Sequence, residues 1–385
     1  MFALQRYVFK DASKLSPRYI PKRLPHREKQ IEKISGFIDP LSEYTTIVQI
    51  QGPAGSGKTS SAYHVGLRFT RQKPADKLKM VYINLKLETG TKFLFYKRIL
   101  EKIEPAAVSR SLSAEELLYI LLKILSEKDS KLILIIDEID FYMKSSKDTS
   151  IIYDLTRLNE IELGGSCPIL SILMISRDPV WKRKMDKAEL SSLGRLIVNF
   201  PSYTQKQIYD ILEYRASEAL YSDAVSPEVL EFISEITIKE ANGDIRYALD
   251  ILYYSAVLAE QERLRIIDPE LVREVLSQIN PGITSEDIYS LTPHEKLVLL
   301  SLAYALKENR QAYTSFTNII DYYKSICESK SIRTLSIKTL ETCLQKLSDK
   351  GLIEFHGIKR IGISTIPLEK LIPTLDNLIK RLEEG

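Results

Sequence analysis

Short β-branched runs alternate with helical segments from Thr45 to about residue 198, helical periodicity alone fills residues 204–280, and three further helical patterns beyond Asn280-Pro281-Gly282 lead into a hairpin. These observations predict an α/β core whose parallel sheet carries helices on both faces, an all-α second domain, and a C-terminal winged helix-turn-helix. The expected boundaries are 1–198, 199–280 and 281–385. A length of 385 residues accommodates this number of domains.

Each element has a local cause. Pro17, Pro21, Pro25 and Pro40 make the start an irregular arm interrupted by a short helix over 28–38. The first 33 residues carry nine Lys/Arg against three Asp/Glu, and this basic arm is expected to lie against the α/β core. Strands are predicted at 45–50, 80–84, 132–136 and 169–175, almost wholly apolar, as burial on both faces requires. Pro201 closes the last strand, and Ile208, Ile211, Leu212 and Arg215 open the helical region. Helices are then predicted over 293–308, 313–329 and 336–349; Gly351 stops the third, and strands 352–355 and 361–364 flank Gly357-Ile-Lys-Arg360.

Composition excludes several classes. Hydrophobic residues are 44% and charged residues 27% of the chain, with a net charge of +3, which argues against disorder and collagen-like repeats. Cys167, Cys327 and Cys343 never form C-x-x-C, so neither a zinc site nor a disulfide framework is expected. With no apolar h-region at the start and no apolar run near the ~20 residues of a spanning helix, a soluble cytoplasmic protein without a membrane partner is expected.

The chemistry lies in Gly52, Pro53, Ala54, Gly55, Ser56, Gly57, Lys58 and Thr59, a complete G-x-x-x-x-G-K-[ST] directly after a predicted strand, with Ser60 opening a helix over 60–69. Glycines let successive N–H groups face phosphate oxygens, and the helix start adds partial positive charge. Lys58 then reaches the β- and γ-phosphates of ATP or ADP, and the Thr59 hydroxyl joins a Mg2+ shell. Asp137 and Glu138 end the strand 132–136, suited respectively to holding the metal and to activating water. The alternatives are a chance match in a glycine-rich turn and an acidic pair that merely caps the next helix.

In their order these motifs resemble the archaeal replication initiators of the origin-recognition and cell-division-control ATPase family, in the AAA+ class. The resemblance rests on Arg18-Tyr-Ile-Pro-Lys-Arg-Leu-Pro-His-Arg27, Asp137-Glu-Ile-Asp140, Ser191-Ser-Leu-Gly194, Phe200-Pro-Ser-Tyr203 leading to Arg215-Ala216, and Gly243-Asp-Ile-Arg246. It implies that the core is a P-loop AAA+ domain and the helical domain its lid. It places Arg27 by the adenine, completes the nucleotide pocket with Tyr203 and Arg215, and makes Arg246 a second sensor that reaches the phosphates and joins Lys58, Asp137 and Glu138 in catalysis. Two departures matter. Arg177 stands where the family usually has a first-sensor Asn, and either contacts a γ-phosphate or points away. Ala188 stands where relatives often supply an arginine to a neighbour's nucleotide. Tight nucleotide binding with slow hydrolysis is therefore expected.

The same resemblance implies origin duplex DNA as partner, with recruitment of the replicative helicase and pairing with another initiator. In the helix 336–349, Leu340, Leu344 and Leu347 share one face while Lys338, Thr339, Thr342 and Lys346 lie elsewhere, an arrangement suited to the major groove. Lys359 and Arg360 at the wing are expected to meet phosphate or the minor groove. Lys92, Lys97 and Arg98 are a second DNA-binding candidate, although Phe93, Phe95 and Ile99 equally describe a core-packed helix. Two other functions fit less of the pattern: an accessory or repressive partner that holds nucleotide permanently, and a signalling P-loop ATPase whose winged helix binds protein.

Overall fold

The computed structural model describes residues 7–74, 76–88, 90–108, 112–145, 150–161, 166–279, 285–356 and 360–383. The chain divides into two bodies, one of residues 20–203 with 243–245, the other of 7–19, 204–242 and 246 onward.

In the first body, β1 (Thr46–Gln51), β2 (Leu78–Asn84), β3 (Lys131–Asp137), β4 (Ile169–Ser176) and β5 (Ile197–Asn199) form a parallel sheet in the order β2-β3-β4-β1-β5. Every residue of β4 is buried, consistent with an apolar run that alternation rules do not describe. One apolar cluster packs helices Lys92–Ile103 and Ala114–Glu127 on one face. Another packs helices Glu28–Phe37 and Lys58–Arg71 on the opposite face. The strand β5, which Pro201 follows, has no bounds in the sequence reading because three residues give no measurable period. As the strands are parallel, β1, β3 and β4 deliver Gly52, Glu138 and Arg177 to the same edge of the sheet, the edge at which open α/β sheets place ligands.

In the second body, helices Gln205–Ala219, Pro227–Ala241, Ile245–Gln261 and Pro269–Ile279 come before a winged helix built on Pro293–Asn309, Phe316–Ser329 and Ile337–Asp349. The wing has three strands rather than two: β6 (Tyr313–Thr314), β7 (Glu354–His356) and β8 (Arg360–Gly362), antiparallel in the order β6-β8-β7. The second winged-helix helix therefore does not start at Tyr313. Tyr313 and Thr314 pair with β8, and the Ser315 hydroxyl caps the helix by accepting the Asn318 N–H. A further helix, Leu368–Glu383, was not anticipated from sequence; Leu371, Ile372, Leu375 and Ile379 bury it in the winged-helix core.

The basic arm is divided between the two bodies, its residues from 20 onward belonging to the one that holds the sheet. Residues 7–19 belong to the helical body, because the N–H groups of Tyr7, Val8 and Phe9 donate to the Glu260 carboxylate and Phe9 bridges Leu220. All three cysteines are free and buried. Among the described residues no helix is long and apolar enough to cross a membrane.

Candidate nucleotide and nucleic-acid sites

The loop after β1 is shaped by glycine. At Gly55 the backbone is left-handed (φ +64°), and a Cβ would lie 1.8 Å from Asp244 Oδ1; at Gly57 (φ +85°) it would lie 2.6 Å from Tyr203 Oη. The Lys58 ammonium donates to the Gly52 and Pro53 carbonyls, both at 2.6 Å, and so stays inside the loop. Thr59 Oγ1 donates to Asp137 Oδ2 at 2.7 Å, which joins the last position of the glycine loop motif to the acid that ends β3. Tyr82 donates to the same oxygen at 3.1 Å, and burial together with that carboxylate pushes its phenol well above the usual range. Asp137 Oδ1 accepts the Glu138 N–H at 2.8 Å. Hydroxyl and carboxylate oxygens converge here, the donor chemistry a magnesium ion takes when phosphates complete its shell. Glu138 sits in the left-handed region at φ 59°, and its Oε1 accepts from Arg177 Nη2 at 3.1 Å. Of the alternatives left open for Arg177, the structure shows the side chain turned to Glu138.

Arg27 is 1% exposed and braces the loop from beneath. Its Nε donates to the Ser56 carbonyl at 2.8 Å, Nη2 to the Pro201 carbonyl at 2.8 Å and Nη1 to the His26 carbonyl at 3.0 Å, while the guanidinium stacks 3.7 Å from the Tyr203 ring. Burial lowers its pKa from the ordinary arginine value. Arg27 and buried Tyr203 are thus parts of the loop's foundation. Arg215 is likewise engaged by backbone carbonyls. It donates through Nε and Nη2 to the Lys14 carbonyl and through Nη2 to the Ser16 carbonyl, clasping the arm, and burial pushes it down to about 10. Arg246 is exposed, in the first turn of the helix Ile245–Gln261, directly after the segment Gly243–Ile245 that packs on the phosphate loop through Asp244.

On the winged helix, Lys338, Thr339, Thr342 and Lys346 are all exposed, and Leu340, Cys343, Leu344 and Leu347 are buried beneath them. Lys346 lies 3.8 Å from Glu295, a loose surface contact. Lys359 falls outside the described residues. Arg360 does not reach out from a wing tip: it pairs with Glu231 of the lid helix Pro227–Ala241 at 3.0 Å and stacks on Tyr313 at 4.3 Å. The cations of the second DNA-binding candidate all lie beside carboxylates. Lys92 is held by Glu115 at 2.8 Å and Asp154 at 2.9 Å, Arg98 by Glu101 at 2.9 Å, and Lys97 lies 3.7 Å from Glu101, while Phe95 and Ile99 are core.

Three family models match the three regions in order: an AAA domain over residues 42–178, a Cdc6 AAA+ ATPase-type lid domain over 209–277, and the C-terminal winged helix domain of CDC6 over 286–362. The ORC1-type DNA replication protein of Thermococcus kodakarensis is 31% identical over 363 residues, covering 92% of this chain and 86% of that protein. The chain belongs to the Orc1/Cdc6-type archaeal replication initiators. ORC1-type DNA replication protein 1 of Sulfurisphaera tokodaii is 28% identical across 98% of the chain and 93% of its own length. Among solved structures, Cdc6p from Pyrobaculum aerophilum is 29% identical with a TM-score of 0.81, covering 97% of this chain and 99% of that one. The Aeropyrum pernix ORC1 protein in complex with DNA is 26% identical with a TM-score of 0.63, covering 98% and 100%.

For a member of this family, the junction of lid and winged helix holds polar groups that sequence reading missed. Arg273 is fully buried; its Nε donates to the Ile363 carbonyl at 2.7 Å and its Nη2 to those of Gln311 and Ala312, with Glu270 as ion partner. Beside the wing, His356 Nδ1 lies 3.0 Å from Glu235 and Nε2 faces Glu354 at 3.4 Å, and Tyr313 donates to Glu235. Burial opposes a charged imidazole, yet the two carboxylates push His356 up to about 9; burial also opposes a charged Glu354, yet His356, Lys239 and Ser364 hold it down to about 2. The sign follows from linkage. A histidine raised from 6.5 contributes stability that is complete below that value and is lost as pH rises through about 9. Between about pH 7 and 10 the intact protein is expected to lose about 1–3 kcal/mol more stability than His356→Gln, read from denaturant midpoints. Equal losses would remove the ionic role of His356.

Proposed function

We propose that the chain is an origin-binding initiator that holds ATP or ADP with Mg2+ on its phosphate loop, grips duplex DNA with the outer face of the helix Ile337–Asp349, and helps load the replicative helicase. The observation that carries the nucleotide reading is the 2.7 Å bond from Thr59 to Asp137, beside a lysine already directed into the loop. Phosphate oxygens are stronger acceptors for the Lys58 ammonium than the two carbonyls it now serves. Bound metal would supply charge neutralisation between the phosphates; among the described residues no three His, Cys, Asp or Glu side chains cluster to hold one alone, so Thr59, Asp137 and phosphate would share it. Asp137 would orient that shell and Glu138 would take a proton from the attacking water. Arg246 would add a cation to the phosphates, and nucleotide would act as a switch more than a fuel. The DNA reading is supported by the exposed Lys338–Lys346 face and by the 26% identical Aeropyrum pernix protein solved with DNA.

The accessory reading, an initiator-like protein that holds nucleotide with little hydrolysis, is favoured by Ala188 and by the Arg177–Glu138 pair. The test of the DNA reading is duplex affinity against salt concentration, with ADP present, for the whole protein and the double variant Lys338→Ala/Lys346→Ala. Two lost phosphate contacts are expected to flatten the log–log salt slope by roughly 2. An unchanged slope would falsify the assignment of this face to DNA.

A further inference from the structure

We propose that Arg177 is a positioning residue that restrains Glu138 and so sets the hydrolysis rate; this rests on the nucleotide reading above. The turn after β4 and the turn after β3 lie side by side, because the two strands are adjacent and parallel. Two attachments lock these turns together. The Arg177 backbone N–H donates to the Asp140 carboxylate, and the Arg177 guanidinium pairs with Glu138. Asp140 is buried, its Oδ1 has no hydrogen-bond partner among the described residues, and its pKa is raised by burial, so it is a costly group retained at this position. Its carboxylate serves the backbone N–H groups of Arg177 and of Asp140 itself, at the start of the helix Ile139–Ser145.

The left-handed backbone of Glu138 fixes where its side chain starts, and Arg177 decides where it ends. In hydrolysis a water oxygen bonds to the γ-phosphorus, the bond from that phosphorus to the ADP oxygen breaks, and the water's proton passes to a base. ADP and inorganic phosphate leave, and the proton returns to solvent. A carboxylate can accept that proton only within about 2.6–3.2 Å of the water. An oxygen already held by a guanidinium is directed elsewhere and has a lone pair engaged. A neutral Asn at 177 would leave Glu138 free to swing to the water. The Arg177 side chain is half exposed, so the restraint is an adjustable one.

The test is single-turnover ATP hydrolysis, with ATP and ADP affinities titrated separately, for the wild type, Arg177→Asn and Arg177→Lys. Arg177→Asn is expected to hydrolyse about three- to fivefold faster with nucleotide affinity within about twofold, and Arg177→Lys to return to about the wild-type rate. This separation of rate from affinity, with rescue by the conservative cation, is not what a purely structural residue gives. A rate for Arg177→Asn equal to or below that of the wild type overturns the restraint; a fall would make Arg177 a phosphate contact instead. Failure of the wild type to bind ADP at all would instead overturn the nucleotide reading on which the proposal stands.

Discussion

Arg27→Ala is expected to lower the stability of the protein by about 3–5 kcal/mol and to weaken ADP binding on the order of tenfold. The loss is large because the guanidinium is 1% exposed and satisfies the carbonyls of Ser56, Pro201 and His26 at once. Alanine leaves these acceptors without a donor and opens a void under the ring of Tyr203, whose hydroxyl packs against Gly57. Each buried unsatisfied acceptor costs about 1–3 kcal/mol, and partial collapse of the loop recovers only some of that. Ser56 belongs to the phosphate loop itself, so the damage extends to ligand affinity. Urea midpoints and ADP titration on the same samples check both parts. A variant that loses stability but binds ADP normally would make Arg27 a core strut with no bearing on the loop.

What sequence reading recovered and what it missed follow from the range of the interactions. The phosphate loop, Thr59 and the Asp137-Glu138 pair were legible because strand, turn and helix start are local patterns, and the parallel sheet then brings the two segments together. The arginines were legible only as cations. Arg27, Arg215, Arg273 and Arg360 all find partners distant in sequence, and a guanidinium with several donors can serve a ligand or a set of carbonyls equally well. Lys92 reads as a surface cation until Asp154, 62 positions later, is folded against it. The outer face of the helix Ile337–Asp349 was legible because the leucine spacing fixes which side is buried, while the third wing strand was hidden inside a pattern that also suits a helix.

Glu138→Gln is expected to slow single-turnover ATP hydrolysis by about 10²–10⁴-fold while leaving ADP affinity nearly unchanged. The amide keeps the size of the side chain and an oxygen that Arg177 can still donate to, but it cannot take a proton from water. Asp137 and Thr59, which would share the metal and phosphates, are untouched, so ground-state binding persists. Hydrolysis within about tenfold of the wild type would show that Glu138 is not the base. The double variant Arg177→Asn/Glu138→Gln then separates two roles for the arginine. A restraint on a base has no effect once the base is gone, so the acceleration seen with Arg177→Asn alone is expected to vanish. Contacting residues of this kind are the ones whose effects should not add, and the size of the departure from additivity measures how much of the slow turnover is due to this one ion pair.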